Sequence, residues 1–530
     1  LAATRRGYGQ VCQLITRGRR AAPKGTYRLT REDLADCIPG AHQPPVAVAA
    51  APDVEPDCLL VWRPEAAVLA SPAMAREQGQ WLAARYPRNL WLGVSLLRTG
   101  QDASLLRACL DLAALLGIRC VACGDVHMHA AARRKVQDAI TAIRHRVPLR
   151  EAGRRLFPNG ERHLRAREEL ARLYPAALLA ESVAIAARCR FSLDELRYQY
   201  PREIVPEGET PASYLRRLTE QGAAERWPQG IPVAVRALIE KELAIIAQLQ
   251  YEPFFLTVHD VVQHARGEGI LCQGRGSAAN SIVCYCLKVT SVGPAELSML
   301  FERFVSKERD EPPDIDIDFE HERREEVIQH IYRKYGRHRA ALAATVITYS
   351  ARSVVRDLIR VLEIAEPQAR SLARGLRGWH GHHVDVAKLA EAGVDLADPA
   401  IARLLELAAT LVGFPRHLSQ HVGGFVISEG PLSELVPVEN AAMPDRTIIQ
   451  WDKDDLEDLR LLKVDVLALG MLTAIRKCFS MVRDFHGKGP REIHEVPQAD
   501  AAVYDMICRS DTVGVFQIES RAQMSMLPRL

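Results

Sequence analysis

Pro313-Asp314-Ile315-Asp316-Ile317-Asp318-Phe319 alternates three aspartates with apolar residues. Successive side chains of a strand point to opposite faces, so this pattern puts all three carboxylates on one face and both isoleucines on the other. Alternate strand residues lie ~6–7 Å apart, and the carboxylates repel one another unless a cation sits among them. Two divalent ions ~4 Å apart in such a cluster can clamp a phosphoryl group undergoing in-line displacement. Two other readings compete. A solvent-facing strand can carry charges that block edge-to-edge pairing. A calcium loop could draw on Asp314, Asp316, Asp318 and Glu325, but it needs glycine at its sharp turn, where this chain has Phe319.

Upstream, Gly269–Cys272 reads as a strand, Gln273-Gly274-Arg275-Gly276-Ser277 as a tight loop, and Ala278–Leu287 as a helix. A helix N-terminus after glycines offers free N–H groups and the positive end of a dipole, which suits a phosphate. Arg275 and Ser277 add side-chain donors. The stretch has neither the Walker lysine nor the dinucleotide fingerprint. Downstream, Glu322–Tyr335 reads as a helix, Ala344–Thr348 as a strand and Ser350–Leu362 as a helix. Arg352 and Arg356 stand four apart and share a face of that last helix. They could meet a polyphosphate or pair with Asp357 or Glu363. Lys463-Val464-Asp465-Val466-Leu467 is a second strand with charges at alternate positions. A lysine and a carboxylate among apolar residues must be paired or bound to something. A structural salt bridge and a metal ligand beside a phosphate-binding lysine both fit.

The chain has 530 residues, enough for several domains, with 48% hydrophobic and 25% charged residues and a net charge of +3. No apolar run reaches a membrane span and no secretory signal opens the chain. The 12 cysteines sit in apolar stretches, as expected of reduced thiols in a cytoplasmic protein. Residues 1–150 alternate strands at 57–62, 89–94 and 118–123 with helical patterns such as 105–116, the signature of an α/β layer or barrel. Asp125 and His127 follow the third strand, where α/β barrels place their sites. Residues 131–173 read as helical and arginine-rich, 358–420 as all-helical, and the tail from Gly470 as mainly helical. Trp379-His380-Gly381-His382-His383 lacks a partner at metal-ligand spacing. Leu1 replaces an initiating Met and the last residues break off a helical pattern, so a piece of a longer protein is expected.

Several motifs stand in a fixed order: Gly274-Arg275-Gly276-Ser277-Ala278-Ala279, Leu300-Phe301-Glu302-Arg303-Phe304, the aspartate strand, His421-Val422-Gly423-Gly424, Lys463-Val464-Asp465 and Phe516-Gln517-Ile518-Glu519-Ser520-Arg521. Together they resemble the bacterial C-family DNA polymerases, the alpha subunits of polymerase III and their relatives. Asn280, the run Phe319-Glu320-His321-Glu322-Arg323-Arg324 and Ser520-Arg521-Ala522-Gln523-Met524 make the chain most similar to the error-prone ImuC branch.

The resemblance implies an α/β and α+β multidomain fold. Its parts would be the C-terminal part of a PHP-like α/β barrel (1–150), a helical linker (151–184), a mixed-sheet palm (185–357 and 421–469), a helical thumb (358–420) and the truncated start of helical fingers (470–530). It implies template-directed deoxynucleotidyl transfer, error-prone or translesion, in the DNA-damage response. Asp314, Asp316 and Asp465 would be the catalytic carboxylates and hold two Mg²⁺ ions. Arg275, Gly276, Ser277, Lys463, Arg352 and Arg356 would contact phosphates. Asp125 and His127 would be the last ligand pair of a PHP site whose opening histidines lie before Leu1. The implied partners are primer-template DNA and deoxynucleoside triphosphates, with accessory mutagenesis proteins and the sliding clamp reached through regions outside this chain; no membrane is implied.

Overall fold

The computed structural model describes residues 1–40, 56–293, 315–376, 386–459, 461, 463–497 and 500–529. The fold is mixed α/β, divided into two compact units. The first gathers Leu1–Leu196, Thr345–Ser419 and Ser433–Pro437; the second gathers Arg197–Ala344, Gln420–Leu432 and Val438–Leu530.

In the first unit β1 (Leu60–Trp62), β2 (Leu90–Val94) and β3 (Arg119–Ala122) form a parallel sheet in that order. β2 is buried along its whole length, as a parallel strand under crossover helices must be. Its alternation feeds two clusters: Leu92 and Val94 pack with Cys109 of the helix Asp102–Leu116, and Trp91 packs with Leu59 and Val121. The helix expected across 131–173 is broken. Only Arg134–His145 and Arg167–Leu173 are α-helical there, with short 3₁₀ turns between them, because Pro148 and Pro158 cannot donate to a continuing helix. The helices Arg134–His145, Ala351–Val361 and Pro399–Leu411 share a second core built from Val136, Val354, Val355, Leu358, Leu404 and Leu407. Ser350 caps Ala351–Val361 in a reciprocal box with Ser353. The all-helical reading of 358–420 fails at its end. Gly413 turns left-handed at φ 85°, Pro415 follows, and the chain leaves the helix as a strand.

The second unit is organised on a mixed sheet of seven strands. They are β4 (Cys272–Arg275), β5 (Ile315–Glu320), β6 (Ala340–Thr348), β7 (Pro415–Ile427), β8 (Val438–Asn440), β9 (Thr447–Ile449) and β10 (Val464–Leu469), in the order β4-β5-β10-β7-β6-β9-β8. β6 and β7 also carry the chain between the units. β5 and β10 run parallel, while β4 on one side and β7 on the other run antiparallel to them. Ile315, Ile317 and Phe319 of β5 are fully buried, so the apolar face of the aspartate strand is core.

β5 ends in Glu320, also fully buried. Its carboxylate accepts the Leu271 N–H at 2.7 Å and pairs with Arg476 of the helix Gly470–His486. Glu322 pairs with Lys477 of the same helix at 2.6 Å. A buried carboxylate stripped of its counter-ion costs several kcal/mol. Arg476→Ala is therefore expected to lower stability by ~3 kcal/mol, read from urea unfolding followed by tryptophan fluorescence. An unshifted transition would show that solvent, not Arg476, compensates Glu320.

Candidate active site

Asp316 on β5 stands in register with Asp465 on β10. In-register residues of adjacent strands share a face, with backbones about 4.8 Å apart. Opposite Asp316 on the other side is Arg275 of β4. Its guanidinium lies 3.1 Å from Asp318 Oδ2 and 3.8 Å from Asp316 Oδ2. Burial pushes the Asp318 carboxyl up, and Arg275 opposes that shift. Asp318 thus tethers Arg275 beside Asp316. Gly276, at φ 60°, turns the chain there in a conformation that disfavours any side chain. Asp314 lies outside the described residues.

Asp465 is 4% exposed. Its Oδ2 accepts from Lys463 Nζ at 2.5 Å. His421 Nδ1 lies 3.8 Å from its Oδ1 and accepts the Gly424 N–H at 2.7 Å; the neutral ring then carries its proton on Nε2. Asp465 Oδ1 is buried and, among the described residues, accepts no hydrogen bond. Only glycine fits beside it: a Cβ at Gly424 would lie 2.9 Å from Oδ1 and 2.8 Å from His421 Nδ1. A buried carboxylate oxygen without a donor, with a second carboxylate in register, fits a hard divalent cation. Asp316 and Asp465 are the described residues that would hold it. No group of three His, Cys, Asp or Glu side chains gathers among the described residues.

The phosphate loop differs from its sequence reading. The strand runs on through Gly274 to Arg275, a 3₁₀ turn spans Gly276–Asn280 and contains the Ser277 backbone, and the helix is only Ile282–Cys286. Its first N–H groups are occupied. Glu242, 2% exposed on the helix Val233–Leu249, accepts from Ile282 N at 3.0 Å, Val283 N at 3.1 Å and Ser281 Oγ at 2.8 Å. Ser281 Oγ in turn accepts from Cys284 N at 3.0 Å. An internal carboxylate, not a ligand phosphate, complements this helix end. Glu242 was legible in principle: Val235, Ile239, Glu242 and Ile246 fall on one buried stripe, and a carboxylate on an apolar stripe needs a partner.

The remaining expected residues belong to the first unit. Arg352 and Arg356 lie exposed on one face of Ala351–Val361. Asp125, at φ 45°, accepts from Arg63 at 2.8 Å and pairs with Arg162, while His127 Nε2 lies 3.6 Å away and its ring rests on Phe157. Both Asp125 oxygens face guanidinium groups, a poor setting for a cation. The cysteines Cys120 and Cys123 are free thiols. Residues 379–383 lie outside the described residues.

An aspartate pair thus stands on adjacent strands with a lysine and an arginine beside it. Residues 213–468 match the bacterial DNA polymerase III alpha NTPase domain, and residues 471–530 match the finger domain of the same subunit. The chain belongs to this bacterial DNA polymerase III alpha family. It is 58% identical over its whole length to the error-prone DNA polymerase of Methylococcus capsulatus, 56% to that of Azoarcus sp. and 55% to that of Pseudomonas aeruginosa. It covers 48%, 48% and 49% of those proteins, so it spans about half the length of the curated relatives it matches.

Glu242→Ala would leave two N–H groups and a hydroxyl buried without an acceptor, each worth ~1–3 kcal/mol. Faster hydrogen exchange at Ile282–Cys284 and a lowered melting temperature are expected, with Glu242→Gln intermediate. Exchange rates equal to the parent's would assign the helix end another cap.

Proposed function

We propose that the protein is a template-directed DNA polymerase that transfers deoxynucleotides to a primer end, with an error-prone, translesion role in the DNA-damage response. The carrying observation is the register of Asp316 with Asp465, bracketed by Arg275 and Lys463. On this reading the palm comprises 185–357 and 421–469, the thumb 358–420 and the beginning of the fingers 470–530. Residues 1–150 continue a PHP-like domain, joined through 151–184.

Asp316 and Asp465, with Asp314, would hold two Mg²⁺ ions. Bound there, such ions supply charge stabilisation at the attacking and leaving oxygens of phosphoryl transfer. Lys463 orients Asp465 by donating to its Oδ2, and its ammonium charge suits a neighbouring phosphate. Arg275, steadied by Asp318, presents a fork of donors that matches phosphate oxygens. Gly276 and Ser277 complete the turn that carries it. Arg352 and Arg356 are assigned to phosphates as well. His421, with its proton on Nε2, orients the carboxylate's neighbourhood from β7. Positioning and electrostatic stabilisation supply most of the rate in such transfers. Primer-template DNA and deoxynucleoside triphosphates are the proposed substrates. Accessory mutagenesis proteins and the sliding clamp would engage regions outside this chain, and the setting would be the cytoplasm. Among the described residues no helix is long and apolar enough to cross a membrane.

In the full-length protein, Asp465→Asn and Asp316→Asn are each expected to slow primer extension about a thousandfold, ~4 kcal/mol of barrier. DNA affinity in a gel-shift titration should stay near the parent value. Extension at the parental rate by either variant would refute this assignment. Arg275→Ala should raise the apparent KM for nucleotide far more than the Kd for DNA, and equal loss of both would make Arg275 structural.

A further inference from the structure

The first unit holds a cavity of about 440 Å³ whose walls are unusually cationic. Three chain segments build it. Arg146 caps the helix Arg134–His145 in a left-handed conformation at φ 57°. Arg356 and Arg360 stand one turn apart on Ala351–Val361 and share its exposed face. Arg416 comes from the start of β7. These roles are unequal. Arg416 lies 3.2 Å from Asp357 Oδ2 and over the Tyr349 ring, 5.6 Å from its centroid, so its charge is spent inside the protein. Among the described residues no carboxylate pairs with Arg146, Arg356 or Arg360. Three guanidinium groups therefore converge on one cavity with their charge uncompensated, an arrangement that an anion relieves.

We infer that this cavity seats a phosphodiester of the DNA backbone, an inference that rests on the polymerase reading. Guanidinium forks match phosphate oxygens and stay charged at any working pH. The volume falls in the range of sites for molecules of nucleotide size rather than a bare ion. The cavity's one carboxylate, Asp357, is engaged by Arg416, so it offers no ligand to a divalent cation. A triphosphate travels with such a cation; a phosphodiester carries a single charge and needs none. Arg146 and Arg416 lie outside any motif of the sequence, and the cavity joins them to Arg356 only through the packing of the three segments. The contact is to backbone and carries no base preference.

The test uses the full-length protein with Arg146 and Arg360, neither of which belongs to the catalytic set. Binding to a fluorescent primer-template duplex is measured across a salt series for the parent, the Arg146→Ala/Arg360→Ala double variant and Arg360→Lys. One lost phosphate contact should flatten the plot of log K against log salt by ~0.9. The double variant should bind about tenfold more weakly at moderate salt, Arg360→Lys should keep most of the slope, and the KM for nucleotide at saturating DNA should not move. An unchanged slope and affinity in the double variant overturns the inference. So does a raised nucleotide KM with unchanged DNA binding, which would hand the cavity to the triphosphate. Parent protein that binds duplex but extends no primer would sink the polymerase reading instead, while the salt slope would still report on the cavity.

Discussion

Two like charges held side by side on neighbouring strands are the constraint around which the second unit is arranged. Asp316 and Asp465 share a face of the sheet because β5 and β10 run parallel in register. Left alone, that juxtaposition would weaken the pairing that creates it. Compensation comes from neighbouring cations. β4 brings Arg275 across from Asp316, and Lys463, just before β10, reaches Asp465. β7 adds no charge, but Gly424 lets its backbone lie close to Asp465. β5 itself has a polar face at the site and a core face, where Ile315, Ile317 and Phe319 are sealed from water. Among the described residues the same arrangement leaves one oxygen, Asp465 Oδ1, buried without a donor. In a folded protein such an atom is costly, and a hard cation would relieve it.

The strand pair was readable because period-two alternation of charged and apolar residues is a strong local signal, and the Lys463-Val464-Asp465 run repeats it. The β1–β3 layer was readable for the same kind of reason, short apolar runs between helical patterns. What escaped was non-local. The sequence around Gly274 reads as a loop because glycines dominate it, yet pairing with β5 draws Gly274 and Arg275 into a strand. The following helix reads as open-ended because nothing local caps its first turn except Ser281. Glu242, some forty residues earlier, completes that cap, and only tertiary packing reveals it. The extended course of β7 from Pro415 was hidden behind a helical pattern that stops at Gly413.

The two electrostatic settings of the molecule contrast. Near Asp465 two carboxylates share a face of the sheet, with Arg275 and Lys463 beside them. Around Asp125 the balance is different, with Arg63 and Arg162 both on one carboxylate. The residue types that suit a metal ligand are present in both places, yet the company they keep separates them. Residue identity at a strand's C-terminal end is therefore a weak guide to chemistry until the nearest counter-charges are known.

β10 ends at Leu469 and the helix Gly470–His486 begins at the next residue. The match to the finger domain starts at residue 471. The seam between two modules is thus a single peptide link with no slack, set directly after the strand that carries Asp465. The helix is also pinned sideways to the end of β5 through Glu320 and Glu322. A joint of that kind gives the helix no loop in which to reorient, so its placement is fixed against the ends of both aspartate strands.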